Sequence, residues 1–286
     1  MVTPLLIDYS EYDKNYRKGF AGILFRRLSY AQIEYVKTLA RWMKRQQVLQ
    51  SFSYLIKGHT KSVKHIIRNA AMILPNSEME YRHLLQIYVQ SPLYSVVYNG
   101  IDEDLFGELY NSPRDENMVL CIARIEGLKN QMNLIKALNH TCFNLFIIGK
   151  PAINQSDYFA QCKKNAASNI HFIDFIPQEE LIQYYRKAKV HVLPSWFETC
   201  GLSTLEAAVS GCNVVITDRG YASEYCTNNA FYCDPSSPES IRQAIEKAST
   251  SHVHTEFREK ILKDFTWRTA AAKTFEAYQT ILNDET

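Results

Sequence analysis

From about residue 117 onward, short apolar runs alternate with stretches whose apolar residues return every three or four positions. The runs at 118–123, 143–148, 170–173, 190–193, 213–217 and 230–233 have strand length and are bounded by polar or turn residues. Helical period fills 129–138, 156–166, 179–188, 202–210 and 238–248 between them. Six strand-like runs separated by helices predict a parallel sheet covered on both faces, an α/β domain of Rossmann type.

The first hundred residues follow another rhythm. Strand-like runs occur only at 5–7, 71–74 and 95–98, while helical patterns cover 13–47, 60–69 and 77–88. Three strands are too few for a second doubly wound sheet. Asn99-Gly100-Ile101-Asp102 reads as a turn, since Asn-Gly tolerates positive φ, and it marks a boundary. The last helix, from near Trp267, carries Ala270, Ala271, Phe275, Tyr278 and Ile281 on one face, which must dock somewhere. Three parts follow: 1–100, 101–264, and a terminal helix at 265–286 that packs back on the first.

Composition narrows the class more than the function. The 286 residues are 46% hydrophobic, enough for a sizeable core in one or two domains. Net charge is only +2, yet residues 1–100 hold 14 Lys and Arg against 6 Asp and Glu, and the remainder 18 against 24. A basic first third suits a membrane surface, a phosphorylated substrate or nucleic acid; a solvated face is the plainer reading. The seven cysteines form no CxxC or Cys/His cluster, and several sit in apolar runs such as Val119-Leu120-Cys121-Ile122. That pattern fits buried thiols in a reducing compartment. No run approaches the ~18 apolar residues of a membrane span, and the N-terminus lacks the form of a secretion signal. The expectation is a cytoplasmic protein.

The densest chemistry lies in Ser195-Trp196-Phe197-Glu198-Thr199-Cys200-Gly201-Leu202-Ser203-Thr204-Leu205-Glu206. A strand ends, a loop turns and a helix opens, presenting free N–H groups that suit a phosphate. Glu198 and Glu206 cannot bind that phosphate themselves and suit sugar or ribose hydroxyls instead. Two glutamates eight apart are more often surface charge; the preceding strand-Pro-Ser and the enclosed Gly-Leu step make this pair a site. Open α/β sheets bind ligands at the carboxyl ends of their strands, which points both acids into one crevice. After the domain's first strand, Arg124 and Lys129 flank a turn and can clamp a diphosphate; taken alone, they would be solvated charges. Gly149-Lys150-Pro151 and Phe175-Ile176-Pro177 border the same crevice, as ordinary turns or as places for a base to rest. With no HxxxH or HExxH, and no acidic DxD pair of metal-binding type, metal catalysis has no support. GxGxxG, P-loop and GxSxG patterns are also missing, against NAD, kinase and α/β-hydrolase chemistry.

These pieces resemble the retaining sugar transferases of glycosyltransferase family four, also called glycosyl transferases group 1, which have the two-domain GT-B fold. The matching segments run in order over about three quarters of the chain. They are Ala71-Met72-Ile73-Leu74-Pro75-Asn76-Ser77, the Asn99–Asp102 hinge, Arg124 to Lys129, and Phe175-Ile176-Pro177-Gln178-Glu179-Glu180-Leu181. The E-x7-E pair Glu198–Glu206, Gly211-Cys212-Asn213-Val214-Val215 and Phe265-Thr266-Trp267 complete them. The resemblance implies that Arg124 and Lys129 bind the donor diphosphate, Glu198 the donor sugar and Glu206 the ribose of a UDP- or GDP-type donor. Gly201, Leu202, Ser203 and Thr204 would lie against the nucleotide phosphates, with Gly149, Phe175 and Ile176 beside the nucleotide. It further implies retention of anomeric configuration, no metal and no resident cofactor, the nucleotide-sugar being a substrate.

The implied acceptor is a glycan or a lipid-linked saccharide of cell-surface polysaccharide synthesis. The basic first third would touch the inner membrane surface, and nucleic acid is not a partner, since no stacking motif or recognition helix accompanies the charge. Two departures stand out: Glu198-Thr199 replaces the family's common Glu-Gly, and the chain starts late in the N-terminal domain. The expected fold is therefore GT-B-like, with a complete C-terminal Rossmann-like donor domain and a partial N-terminal acceptor domain. A nucleotide-sugar-binding module, or a truncated or split transferase without its own turnover, is the alternative.

Overall fold

The computed structural model describes all residues except 5, 18, 45–51, 90, 109–112, 254, 285 and 286. The chain divides into two compact units, Met1–Val97 with Lys273–Thr286, and Tyr98–Ala272.

In the first unit the helices are α1 (Ser10–Asn15), α2 (Phe20–Phe25), α3 (Tyr30–Met43), α4 (Ser53–Asn69) and α5 (Glu78–Tyr88). The helical pattern at 13–47 is thus broken. Gly19 turns the chain at φ 80°, and Ser29 opens α3 with a capping box shared with Gln32; residues 45–47 of that pattern lie outside the described residues. The helix expected at 60–69 begins earlier, at Ser53, and kinks at Gly58, where φ is 73°. The expected strands reduce to two isolated parallel bridges, Val2–Ile73 and Ile73–Tyr94; residue 5 lies outside the described residues. Pro4, Pro75 and Pro92 flank these bridges, and proline has no N–H to extend a ladder. Leu6, Ile67, Ile73, Leu84 and Tyr88 form a small core. Buried Glu80 ties it together, accepting the N–H groups of Leu6 at 2.7 Å and Asn76 at 2.8 Å; burial raises its pKa.

The second unit is built on α6 (Glu103–Phe106), β1 (Asp115–Ile122), α7 (Gln131–Leu138), β2 (Asn144–Ile148), α8 (Ser156–Asn165) and β3 (Ile170–Ile173). It continues through α9 (Gln178–Lys187), β4 (Ala188–Leu193), α10 (Leu202–Val209), β5 (Asn213–Thr217), α11 (Ala222–Cys226) and β6 (Phe231–Cys233). Then come α12 (Pro238–Thr250), α13 (Thr255–Asp264) and the start of α14 (Trp267–Asp284). The six strands are all parallel in the order β3-β2-β1-β4-β5-β6. Alternate residues of each central strand feed two cores. Val119, Cys121, Val190 and Val192 pack under α7 and α12 with Leu134 and Ile241, while Leu120 and Val214 meet Tyr185 and Leu205 on the other face. This α/β fold answers the expectation for the sheet domain. The strand order reverses direction between β1 and β4, and ligands of open α/β sheets settle in the crevice that opens there.

Gly100 corrects one local expectation. Its φ is not positive; glycine is needed because a Cβ there would sit 2.1 Å from the carbonyl carbon of Thr266. Ile101 and Thr266 form a bridge at this close approach.

Candidate functional site

The loops after β1 and β4 meet at the reversal point. After β1, residues Gly127–Lys129 make one tight helical turn that ends at Asn130 in the left-handed region, φ 61°. Asparagine tolerates that conformation better than most residues. Its side chain then reaches across, Nδ2 donating to the carbonyls of Pro194 at 3.0 Å and Pro235 at 2.7 Å. The Trp196 N–H donates to the Leu128 carbonyl at 2.9 Å, and Gln131 Nε2 to the Arg124 carbonyl at 2.9 Å. Three loops, following β1, β4 and β6, are stitched together by these bonds.

Glu198 is fixed at both backbone and side chain. Its N–H donates to the Arg219 carbonyl, and its carbonyl accepts from Tyr221 at 2.8 Å and Ala222 at 3.2 Å. Gly220 permits this approach: at φ 98° it brings its Cα where a Cβ would stand 2.2 Å from the Glu198 carbonyl oxygen. Glu198 is 7% exposed, and its carboxylate accepts from Lys129 Nζ at 2.7 Å and Ser195 Oγ at 3.0 Å, both on Oε2. A buried ion pair of this kind is held by its extra hydrogen bonds, and losing one partner strands the other. The ammonium of Lys129 has three donors, so the pairing leaves capacity for a second anion.

Helix α10 opens beside this pair. Gly201 caps it at φ 74° and ψ 63°, and the Thr204 and Leu205 N–H groups return to the Gly201 carbonyl. The N–H groups of Leu202 and Ser203 therefore stand ahead of the helical ladder, at its positive end. A cavity of about 440 Å³ is lined by Arg124, Lys129, Glu198, Gly201, Leu202 and Ser203 among others. Arg124 is 71% exposed at its side chain and lies 3.1 Å from the Glu126 carboxylate.

Six of the residues singled out in the sequence thus share one cavity. Five others do not line it. Glu206 turns its carboxylate toward α9, accepting from Gln178 Nε2 and from the Tyr185 hydroxyl, both at 2.9 Å, and burial raises its pKa. Thr204 is fully buried beneath the loop. Gly149 ends β2, where a Cβ would meet the Ala123 carbonyl oxygen at 2.1 Å. Phe175 is exposed beneath the Lys150 ammonium, and Ile176 packs against the core. Sequence reasoning missed Ser195 and Tyr185 as carboxylate partners and Asn130 as the tie between loops. Only an asparagine following a short turn hinted at the last. No group of three or more His, Cys, Asp or Glu able to hold a metal occurs among the described residues.

Residues 104–264 match the family model described as Glycosyl transferases group 1. The O-antigen chain mannosyltransferase RfbU of Salmonella typhimurium is 25% identical over 202 residues, covering 68% of this chain and 54% of the relative. A glycogen synthase of Mycobacterium tuberculosis is 27% identical over 199 residues, covering 64% of this chain and 48% of the relative. The chain spans about half the length of these relatives. Among solved structures, Anabaena Alr3699/HepE in complex with UDP superposes with a TM-score of 0.70 at 19% identity, over 87% of this chain and 77% of that one. At that identity the likeness establishes a shared fold.

Proposed function

This chain belongs to the glycosyl transferases group 1 family, and from that premise we propose that it transfers a hexose from a UDP- or GDP-linked donor with retention of configuration. The diphosphate lies against the α10 start, with the Leu202 and Ser203 N–H groups, Lys129 and Arg124 answering its charge. As the sugar–phosphate bond breaks, these fixed donors stabilise the leaving oxygens, an electrostatic contribution that requires no reorganisation. Glu198 meets the donor sugar and Glu206 the ribose, near Gly149, Phe175 and Ile176. The acceptor is a glycan or lipid-linked saccharide of surface polysaccharide synthesis, held by an acceptor-side part at 1–100. The basic character of that part supports peripheral contact with the cytoplasmic face of a membrane.

The observation that carries this reading is the Lys129–Glu198 pair, 2.7 Å apart, on the wall of the cavity that α10 opens into. Incubation with UDP- and GDP-hexoses and such acceptors should yield glycosylated product. A Glu198→Ala protein that transferred sugar at the parent rate would overturn the assignment. A donor-binding module completed by another polypeptide is the second reading, favoured by the small core of the first unit; nucleotide binding without transfer or donor hydrolysis would select it.

A further inference from the structure

The first unit leaves apolar side chains on its surface within a stretch of nearly one sign of charge. Between Asp13 and Glu78 the sequence holds thirteen Lys and Arg and a single acid, Glu34. Glu34 is engaged with Lys37 at 2.8 Å, and Asp13 is buried with Arg17 and Lys37. That leaves the exposed Arg26, Arg27, Lys44, Lys57 and Lys61 without a carboxylate partner among the described residues. The same stretch holds nine of the twenty large apolar side chains left exposed among the described residues.

Their placement is periodic. On α2, Phe20, Ile23 and Leu24 stand at positions i, i+3 and i+4 and are 80%, 66% and 42% exposed, while Gly22 and Phe25 of the same helix are buried. Phe52 and Ile56, one turn apart at the start of α4, are 74% and 89% exposed. The Gly58 kink separates this first turn from the rest of the helix, which then carries Lys61. Arg26 and Arg27 directly follow the apolar face of α2.

Apolar faces bordered by exposed cations, in a stretch with one acid, are what an interfacial helix presents to anionic headgroups, the rings and aliphatic chains entering the acyl boundary. A neutral protein partner would leave the cations unanswered. An acidic one would leave the apolar anchors unexplained unless it brought its own. We infer that α2 and the first turn of α4 dock onto an anionic lipid surface by insertion of Phe20, Ile23, Phe52 and Ile56 as well as by charge. The inference rests on the membrane contact in the proposed function and names the segments and the lipid chemistry.

Flotation of the full chain with vesicles of phosphatidylcholine alone, and with phosphatidylglycerol added, tests it. Binding should appear with the anionic vesicles and weaken about fivefold for each cation neutralised at Arg26, Arg27, Lys57 or Lys61. A Phe20→Ser/Ile23→Ser protein should lose at least tenfold in affinity. A Phe20→Trp protein should shift its emission to shorter wavelength on anionic vesicles. No binding to anionic vesicles, or binding that Phe20→Ser/Ile23→Ser leaves intact, overturns the inference. So does a dimer in sedimentation equilibrium that the same substitution dissolves, since a second copy would then cover the face. Calorimetry with UDP and GDP on the same preparation separates the two readings: nucleotide binding without vesicle binding refutes the lipid face alone, and vesicle binding without nucleotide binding refutes the transferase site.

Discussion

Two regions of the molecule, one in each unit, treat charge in opposite ways. Around the ends of β1 and β4, the charged and amide groups are withdrawn from water and bonded: Lys129 to Glu198, Ser195 to Glu198, Asn130 to two carbonyls. In the first unit, at α2 and the first turn of α4, the exposed Arg26, Arg27 and Lys57 accompany the exposed Phe20, Ile23 and Ile56. Withdrawn, bonded groups hold a geometry to fractions of an ångström, which suits a site that must meet developing charge. Solvated cations hold no geometry and contribute little to the fold, which suits a surface that meets something soft. The contrast separates positions where a substitution should disable chemistry from positions where it should change only adhesion.

The largest expected effect lies within the site, between its two cations. Lys129 is held in place by a buried carboxylate, whereas Arg124 is mostly exposed and must be ordered when a ligand arrives. Lys129→Ala should lower kcat about 100-fold or more, and it also strands the Glu198 carboxylate. Arg124→Ala should cost about tenfold, chiefly in KM, because an exposed side chain gives up entropy on binding. Steady-state rates of the two proteins on one donor decide this. Equal losses would mean that preorganisation of Lys129 does not matter.

Next comes the tie between loops. Asn130→Gly keeps the left-handed backbone and removes only the side-chain bonds, leaving the Pro194 and Pro235 carbonyls without that donor. Stability in urea should fall by about 2 kcal/mol, and donor KM should rise because Lys129 is the neighbouring residue. Asn130→Ala should be worse by a further ~1 kcal/mol, since Ala has no ease at positive φ. If Gly and Ala proved equally damaging, the side chain rather than the backbone would carry the whole effect.

The same comparison explains what could be read beforehand. The runs at 170–173 and 213–217 coincide with β3 and β5, because strands packed between helix layers must be apolar along most of their length. β1 begins earlier than its apolar run, at Asp115, since backbone pairing with Ala188 needs no apolar side chain. Helix α13 was not anticipated; it buries only Phe257 and Ile261, one turn apart, in a charged segment. Spacing drew Glu198 and Glu206 together as a pair. The structure gives them different partners, Lys129 and Ser195 for one, Gln178 and Tyr185 for the other. Sixty-nine residues separate Lys129 from Glu198, so that contact comes from strand order and cannot be read from local pattern. In the first unit, the proline-flanked bridges defeated a reading based on apolar runs alone.

The smallest expected effect belongs to a withdrawn group with no bond at all. His191 sits fully buried in the middle of β4, and neither ring nitrogen has a hydrogen-bond partner among the described residues. Burial pushes its pKa down from 6.5 to about 3, so the folded protein keeps it neutral while the unfolded chain takes up a proton below about 6.5. Acid therefore favours unfolding: the His191 contribution is complete above that value and is lost progressively as pH falls toward about 3. Between pH 7 and pH 6 the loss is roughly 0.7 kcal/mol, which thermal midpoints can resolve. His191→Leu offers similar volume without polar atoms to desolvate, so it should raise the midpoint at pH 7 and flatten its decline at pH 6. A variant whose midpoint falls with acid as steeply as the parent's would mean that other groups govern this limb. The rule drawn from the Lys129 and Glu198 loops, that withdrawal from water comes with a bond, would then have at His191 an exception without measurable consequence.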